Sequence, residues 1–201
     1  MNAASPFLQW GFEEMETPML DNIMHQRIIK LAQFGARLRG NVSRDTYNTD
    51  MMTGRPFAEV GSRLGIQLAK LARALAIVRG KPRVTEDEYR LVKKVMLDTV
   101  SQRSEDIVRV MFLAATSQNG HRGSLTSEEI AQRTRYPITT VRRLMDDLNL
   151  LNVIERTGSQ GSGFKHTWNI SAYISKAIRE SGVYAEPLPS RLMIRRAKPH
   201  D

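Results

Sequence analysis

The 201-residue chain is predicted to be mainly α: a helical bundle followed by a winged helix–turn–helix domain with a small β-hairpin. Three observations predict this. Apolar residues recur at helical spacing in successive stretches from residue 17 to residue 151. Two Thr-x-x-Glu starts, Thr85–Glu88 and Thr126–Glu129, announce helices through reciprocal capping of exposed backbone amides. Period-two alternation comes late, in NVIERT and FKHTWNI, on either side of a glycine-rich GSQGSG.

Taken in order, Thr17-Pro18 reads as a cap with proline in the first turn of a helix over 17–39. Ile23, the stem of Arg27, Leu31, Phe34 and Leu38 form its inner stripe. Residues 41–59 carry breakers at Gly54 and Pro56. EVGSRLGIQLAKLARALAIVR, residues 59–79, is the strongest helical signal, with Leu64, Leu68, Leu71, Leu75 and Val78 on one stripe and alanines at its margins. Gly80 stops it. The helix opened by Thr85 runs to about Thr99 and is expected to bury Tyr89, Val92, Val95 and Met96.

A further apolar-faced helix spans 103–117. Thr126 then caps a short helix, 126–134, with Ile130 and Ala131 inward, and Arg135-Tyr136-Pro137 breaks it. Thr139 is expected to cap a helix to 151 whose inner face is Val141, Leu144, Leu148 and Leu151. Two strands follow, the second with Phe164, His166, Trp168 and Ile170 on one packing face. Residues 172–181 form a last helix. The expected division is a helical domain over 1–100, a winged helix–turn–helix domain over 101–182, and a basic, flexible tail over 183–201.

There are no cysteines, so disulfides and cysteine-ligated metals are excluded. The four histidines are far apart and show no paired ligand spacing, so neither a metal nor a resident cofactor is expected. No apolar run approaches the ~20 residues that span a bilayer, and MNAASPFLQWGFEEMETP lacks the pattern of a signal peptide. The expected location is the cytoplasm. Net charge is +9, from 30 basic and 21 acidic residues, which favours a polyanionic partner. Residues 1–58 are balanced at six against six, whereas 59–100 carry nine basic residues against five acidic. The excess lies in the last two thirds.

In a helix–turn–helix the second helix enters the major groove, its N-terminal residues toward base edges. Thr139, Thr140, Arg142 and Arg143 lie opposite Val141 and Leu144, where hydroxyl donors and guanidinium forks are needed to read double-stranded DNA. Arginine pairs bidentately with guanine, worth roughly 1–3 kcal/mol of discrimination. Arg133 and Arg135 lie at the turn, and Arg156 and Lys165 flank the hairpin where phosphates would pass. Asp146 and Asp147 would repel phosphate and confine contact to the first turn and a half. The competing reading is a solvated face on which Arg142–Asp146 and Arg143–Asp147 pair at i,i+4. A stand-alone transcription regulator with a dimerising helical part, or a protein-docking adaptor, would fit the same order of elements.

The stretch from about 31 to 170 resembles the C-terminal half of certain AAA+ ATPases, in which a helical lid precedes a winged helix. Residues 59–99, with an alanine-rich helix, Arg79-Gly80 and Val84-Thr-Glu-Asp87, look like the lid of minichromosome-maintenance and related ATPases; origin-recognition ATPases share the lid-then-wing order. The resemblance implies a lid-like role for the bundle and a nucleotide-sensing role for Arg63. It also implies, as partner, an AAA+ ATPase core or further copies of the chain. No phosphate loop of the form G-x-x-x-x-G-K-[ST] occurs, because Gly80-Lys81 is followed by Pro82, and no apolar strand ends in paired acids for magnesium. The chain alone is therefore not expected to hydrolyse ATP; ATP enters only if such a core is supplied. It is expected to be part of, or partner to, a helicase-like machine.

Overall fold

A computed structural model describes residues 16–45, 52–116, 123–157 and 166–185. These residues form seven helices and one two-stranded antiparallel sheet, and 63% of them are helical. The helices are α1 (Asn22–Leu38), α2 (Gly61–Val78), α3 (Glu86–Asp98), α4 (Gln102–Thr116), α5 (Ser127–Thr134), α6 (Ile138–Leu150) and α7 (Ala172–Ser181). The strands are β1 (Ile154–Thr157) and β2 (Thr167–Ile170). No helix among the described residues is long and apolar enough to cross a membrane.

α1 is the hub. Its buried residues Met24, Ile28, Leu31, Phe34, Gly35 and Leu38 wind around the helix, because α2, α3 and α7 all pack on it. That shared burial corrects the expected stripe: Ile23, in the first turn, is 76% exposed, and Met24 takes its place. Asp21 starts the helix by accepting a 2.7 Å hydrogen bond from the Met24 amide, so the Thr17-Pro18 cap is displaced by four residues. At Gly35 a Cβ would stand 2.5 Å from Met96 Sδ, which shows how closely α3 approaches.

α2 lies along α1 on Leu64, Leu68, Ala72 and Ala76. The alanines expected at the margin are the contact line, because small side chains let two helix backbones come together. Leu71 and Leu75 move to a half-buried flank and Val78 is exposed. α3 buries Tyr89, Val92 and Met96 as expected, but Val95 faces out.

The α2–α3 junction is closed by a buried carboxylate. Glu88 accepts from the Thr85 amide at 2.9 Å, Arg79 Nη1 at 2.6 Å and Lys81 Nζ at 3.0 Å. Burial opposes its charge, yet the hydrogen bonds from Thr85, Arg79 and Lys81 outweigh it and hold the carboxyl near a pKa of about 2. Gly80 makes the turn possible at φ +63°.

The 100/101 position falls in the short connection between α3 and α4. α7 returns across it to pack along α1, and one apolar cluster contains residues of both halves. Val183 is buried and Tyr184 stands edge-on to Phe34 with ring centroids 6.0 Å apart, so these two residues of the expected tail belong to the core. Residues 186–201 of that tail lie outside the described residues.

Candidate nucleic-acid interface

α4, α5 and α6 pack on one another through Ile107, Met111, Ile130, Val141, Met145 and Leu148. Met145, not Leu144, occupies the fully buried position on α6, and Leu144 is half-buried at the edge. Thr126 caps α5 through the expected box: its Oγ1 accepts from the Glu129 amide at 3.2 Å, and its own amide donates to Glu129 at 2.7 Å. α5 ends at Arg135 in the left-handed region, φ 59°, and Tyr136 and Pro137 complete a tight turn. The Tyr136 hydroxyl donates to the Asp106 carboxylate on α4 and braces that turn.

α6 begins at Ile138, with Pro137 as N-cap two residues before the expected Thr139 and no side-chain cap. Thr139 therefore lies inside the first turn. The Val141 amide makes the first helical bond, to the Pro137 carbonyl at 3.0 Å. The amides of Ile138, Thr139 and Thr140 precede that bond and point out of the helix end, where the positive end of the dipole favours anions. No acidic residue occupies this turn.

β1 and β2 pair antiparallel, with Ile154 opposite Ile170 and Arg156 opposite Trp168. Leu125, just before α5, exchanges two backbone hydrogen bonds with Trp168, 2.8 and 3.1 Å, and so adds a one-residue third strand. This contact fastens the hairpin to the helices. His166 is exposed, correcting its expected packing role: β2 starts only at Thr167, and the inward place is filled by Trp168. Phe164 and Lys165 lie outside the described residues.

Arg133, Arg135, Thr139, Arg142, Arg143 and Arg156 are all exposed, and Thr140 is half-buried. The first turn and a half of α6 brings Thr139, Thr140, Arg142 and Arg143 together. Arg142 does not pair with Asp146 on its own helix; its Nη2 donates to Glu128 of α5 at 2.9 Å. Both side chains are about half exposed, so the pair is a loose one. Asp147 does not pair with Arg143 either. It accepts from Arg44 Nε at 2.9 Å and Nη2 at 2.6 Å, from the segment after α1. The guanidinium of Arg156 lies over the Trp168 ring, 5.9 Å from its centroid.

Sequence reasoning missed Arg44, Glu128 and the Tyr136–Asp106 brace. All three connect residues at least fourteen positions apart, and no local spacing encodes such pairs. Arg63 is exposed in the first turn of α2. A groove of about 680 Å³ between α1 and α2 is lined by its neighbours Ser62 and Gly65, and by Lys70 and Arg73, but not by Arg63 itself.

No protein-family model matches the chain, and no curated protein or solved structure matches it.

Proposed function

We propose that residues 101–182 form a winged helix–turn–helix that binds double-stranded DNA through α6, and that the chain serves as the C-terminal part of, or partner to, an AAA+ helicase-like machine. The carrying observation is the start of α6. Its uncapped amides, Thr139, Arg142 and Arg143 face outward with no acid in the first turn, while Val141, Met145 and Leu148 anchor its back. Free amides suit phosphate, and guanidinium groups on the same exposed turn suit both phosphate and guanine edges. The tight left-handed turn at Arg135 and the hairpin fastened through Leu125 supply the companions that such a reading helix needs. The exposure of Arg133, Arg135 and Arg156 supports their proposed role as phosphate contacts at its margins, and Lys165 is assigned with them from its sequence position.

The AAA+ association rests on the lid resemblance of residues 59–99. In that reading Arg63 senses nucleotide held by a separate core and takes no part in DNA binding, so Arg63→Ala leaves duplex affinity unchanged. The test of DNA binding is a fluorescence-anisotropy titration of the full chain with duplex DNA at increasing salt. Binding should weaken with a log–log slope near −0.9 for each phosphate neutralised. Arg142→Ala combined with Arg143→Ala should remove most of the affinity and make the slope shallower by about two contacts' worth. Absence of duplex binding at low salt would refute the proposal.

A further inference from the structure

We infer that Arg44 is a positioning residue for the proposed DNA contact: by holding Asp147 it leaves Arg143 for phosphate. The inference rests on reading α6 as the DNA-contacting helix. Asp147 follows Arg143 by one helical turn, a spacing at which opposite charges attract along a helix surface. Left to itself, Asp147 would draw that guanidinium down the helix, away from the first turn, and would set a negative charge beside the path of a phosphate.

The tertiary structure gives Asp147 another partner. Arg44 donates through Nε and Nη2 to one Asp147 oxygen, and the two side chains are only 16% and 23% exposed. The Arg142–Glu128 pair, at 61% and 47%, is far more open to water. Coulomb attraction strengthens as solvent is excluded, so the shielded Arg44 outcompetes a guanidinium that can reach Asp147 only across open solvent.

Arg44 is also held in place from behind. Antiparallel bridges join Asn41 to Phe57 and Arg44 to Met52, bracing the two ends of the segment between α1 and α2 against each other. Arg37 Nη1 reaches the Leu151 carbonyl at 3.4 Å, fixing the end of α1 beside the end of α6. The guanidinium is thus presented to Asp147 from a braced backbone, and the helical half of the chain sets the charge of the helix proposed to read DNA.

The deciding experiment measures duplex affinity against salt for the full chain and for Arg44→Ala, Arg143→Ala, Asp147→Asn and Arg44→Ala/Asp147→Asn. Asp146, exposed at the adjacent position, is common to all of them and cancels from the comparison. Arg44→Ala should weaken binding several-fold and make the salt slope shallower by about 0.9, the signature of one lost phosphate contact, as Arg143→Ala does. Asp147→Asn should bind at least as well as the unaltered chain, and adding it to Arg44→Ala should restore the affinity. If Arg44→Ala has no effect while Arg143→Ala weakens binding, the inference fails and the reading of α6 stands. If the loss in Arg44→Ala persists in the double variant, Arg44 acts on DNA directly or on the fold, and the inference is again overturned. If the unaltered chain binds no duplex, both fall together.

Discussion

The Tyr89 hydroxyl donates a 2.6 Å hydrogen bond to the backbone carbonyl of Ser181, joining the first turn of α3 to the last residue of α7. Both residues are fully buried, and Arg27, itself paired with Glu86, lies 4.1 Å over the tyrosine ring. Burial pushes the phenol well above the ordinary tyrosine range, only partly countered by Arg27, so the group stays protonated and a donor. Tyr89→Phe keeps the ring and strands the carbonyl. It should cost ~1–3 kcal/mol, the penalty of an unsatisfied buried acceptor. Urea unfolding should show a lower midpoint with an unchanged slope.

Glu88 makes stability depend on acid. Its folded pKa of about 2 lies below the ordinary 4.5, so its contribution is complete above the unfolded value. The contribution is lost as pH falls from about 4.5 toward 2. A shift of this size corresponds to roughly 3–3.5 kcal/mol. Glu88→Gln should be less stable at neutral pH, and its stability should change less than that of the unaltered chain between those limits. Equal pH dependence in the two proteins would contradict the assignment.

Gly35 should not tolerate even a methyl group. An added Cβ would meet Met96 Sδ at 2.5 Å and Leu64 Cδ2 at 3.2 Å, in a helix crossing where Met96 has no exposed side to retreat to. The higher helix propensity of alanine, worth about 0.8–1 kcal/mol over glycine, is set against an overpacking cost of about 1–3 kcal/mol. Gly35→Ala should lower the thermal midpoint, whereas an exposed helical glycine replaced by alanine would raise it.

Glu128 should restrain DNA binding without supporting the fold. Its exposed pair with Arg142 is worth at most about 1 kcal/mol. Glu128→Gln should leave the unfolding midpoint nearly unchanged, free Arg142 and tighten duplex binding, most visibly at low salt. Unaltered affinity would mean that Arg142 does not meet DNA.

The helices were legible because their signals are local. The boxes at Thr85 and Thr126 lie within four residues, and the expected last helix over 172–181 has the bounds of α7. The errors came where several partners share one helix. Ile23, Val78 and Val95 keep a plausible spacing for burial, but among the described residues no neighbouring element covers them. The burial of Met145 and of Ala72 and Ala76 in α2 has the same origin: which residue is buried depends on how closely the opposing helix approaches. At the candidate interface the exposure of Arg142 and Arg143 could be read from the helix period, but their neighbours could not.

From the sequence alone follow the mainly helical class, the order of the elements, the late antiparallel hairpin, and the outward side of α6, since each depends on periodicity or on contacts a few residues apart. Only the tertiary structure decided that α7 closes on α1, that Tyr184 enters the core, and that Arg44 rather than Arg143 holds Asp147. Those relationships join residues more than 100 positions apart, and the shielding that makes one charge pair prevail over another arises only once the helices have packed.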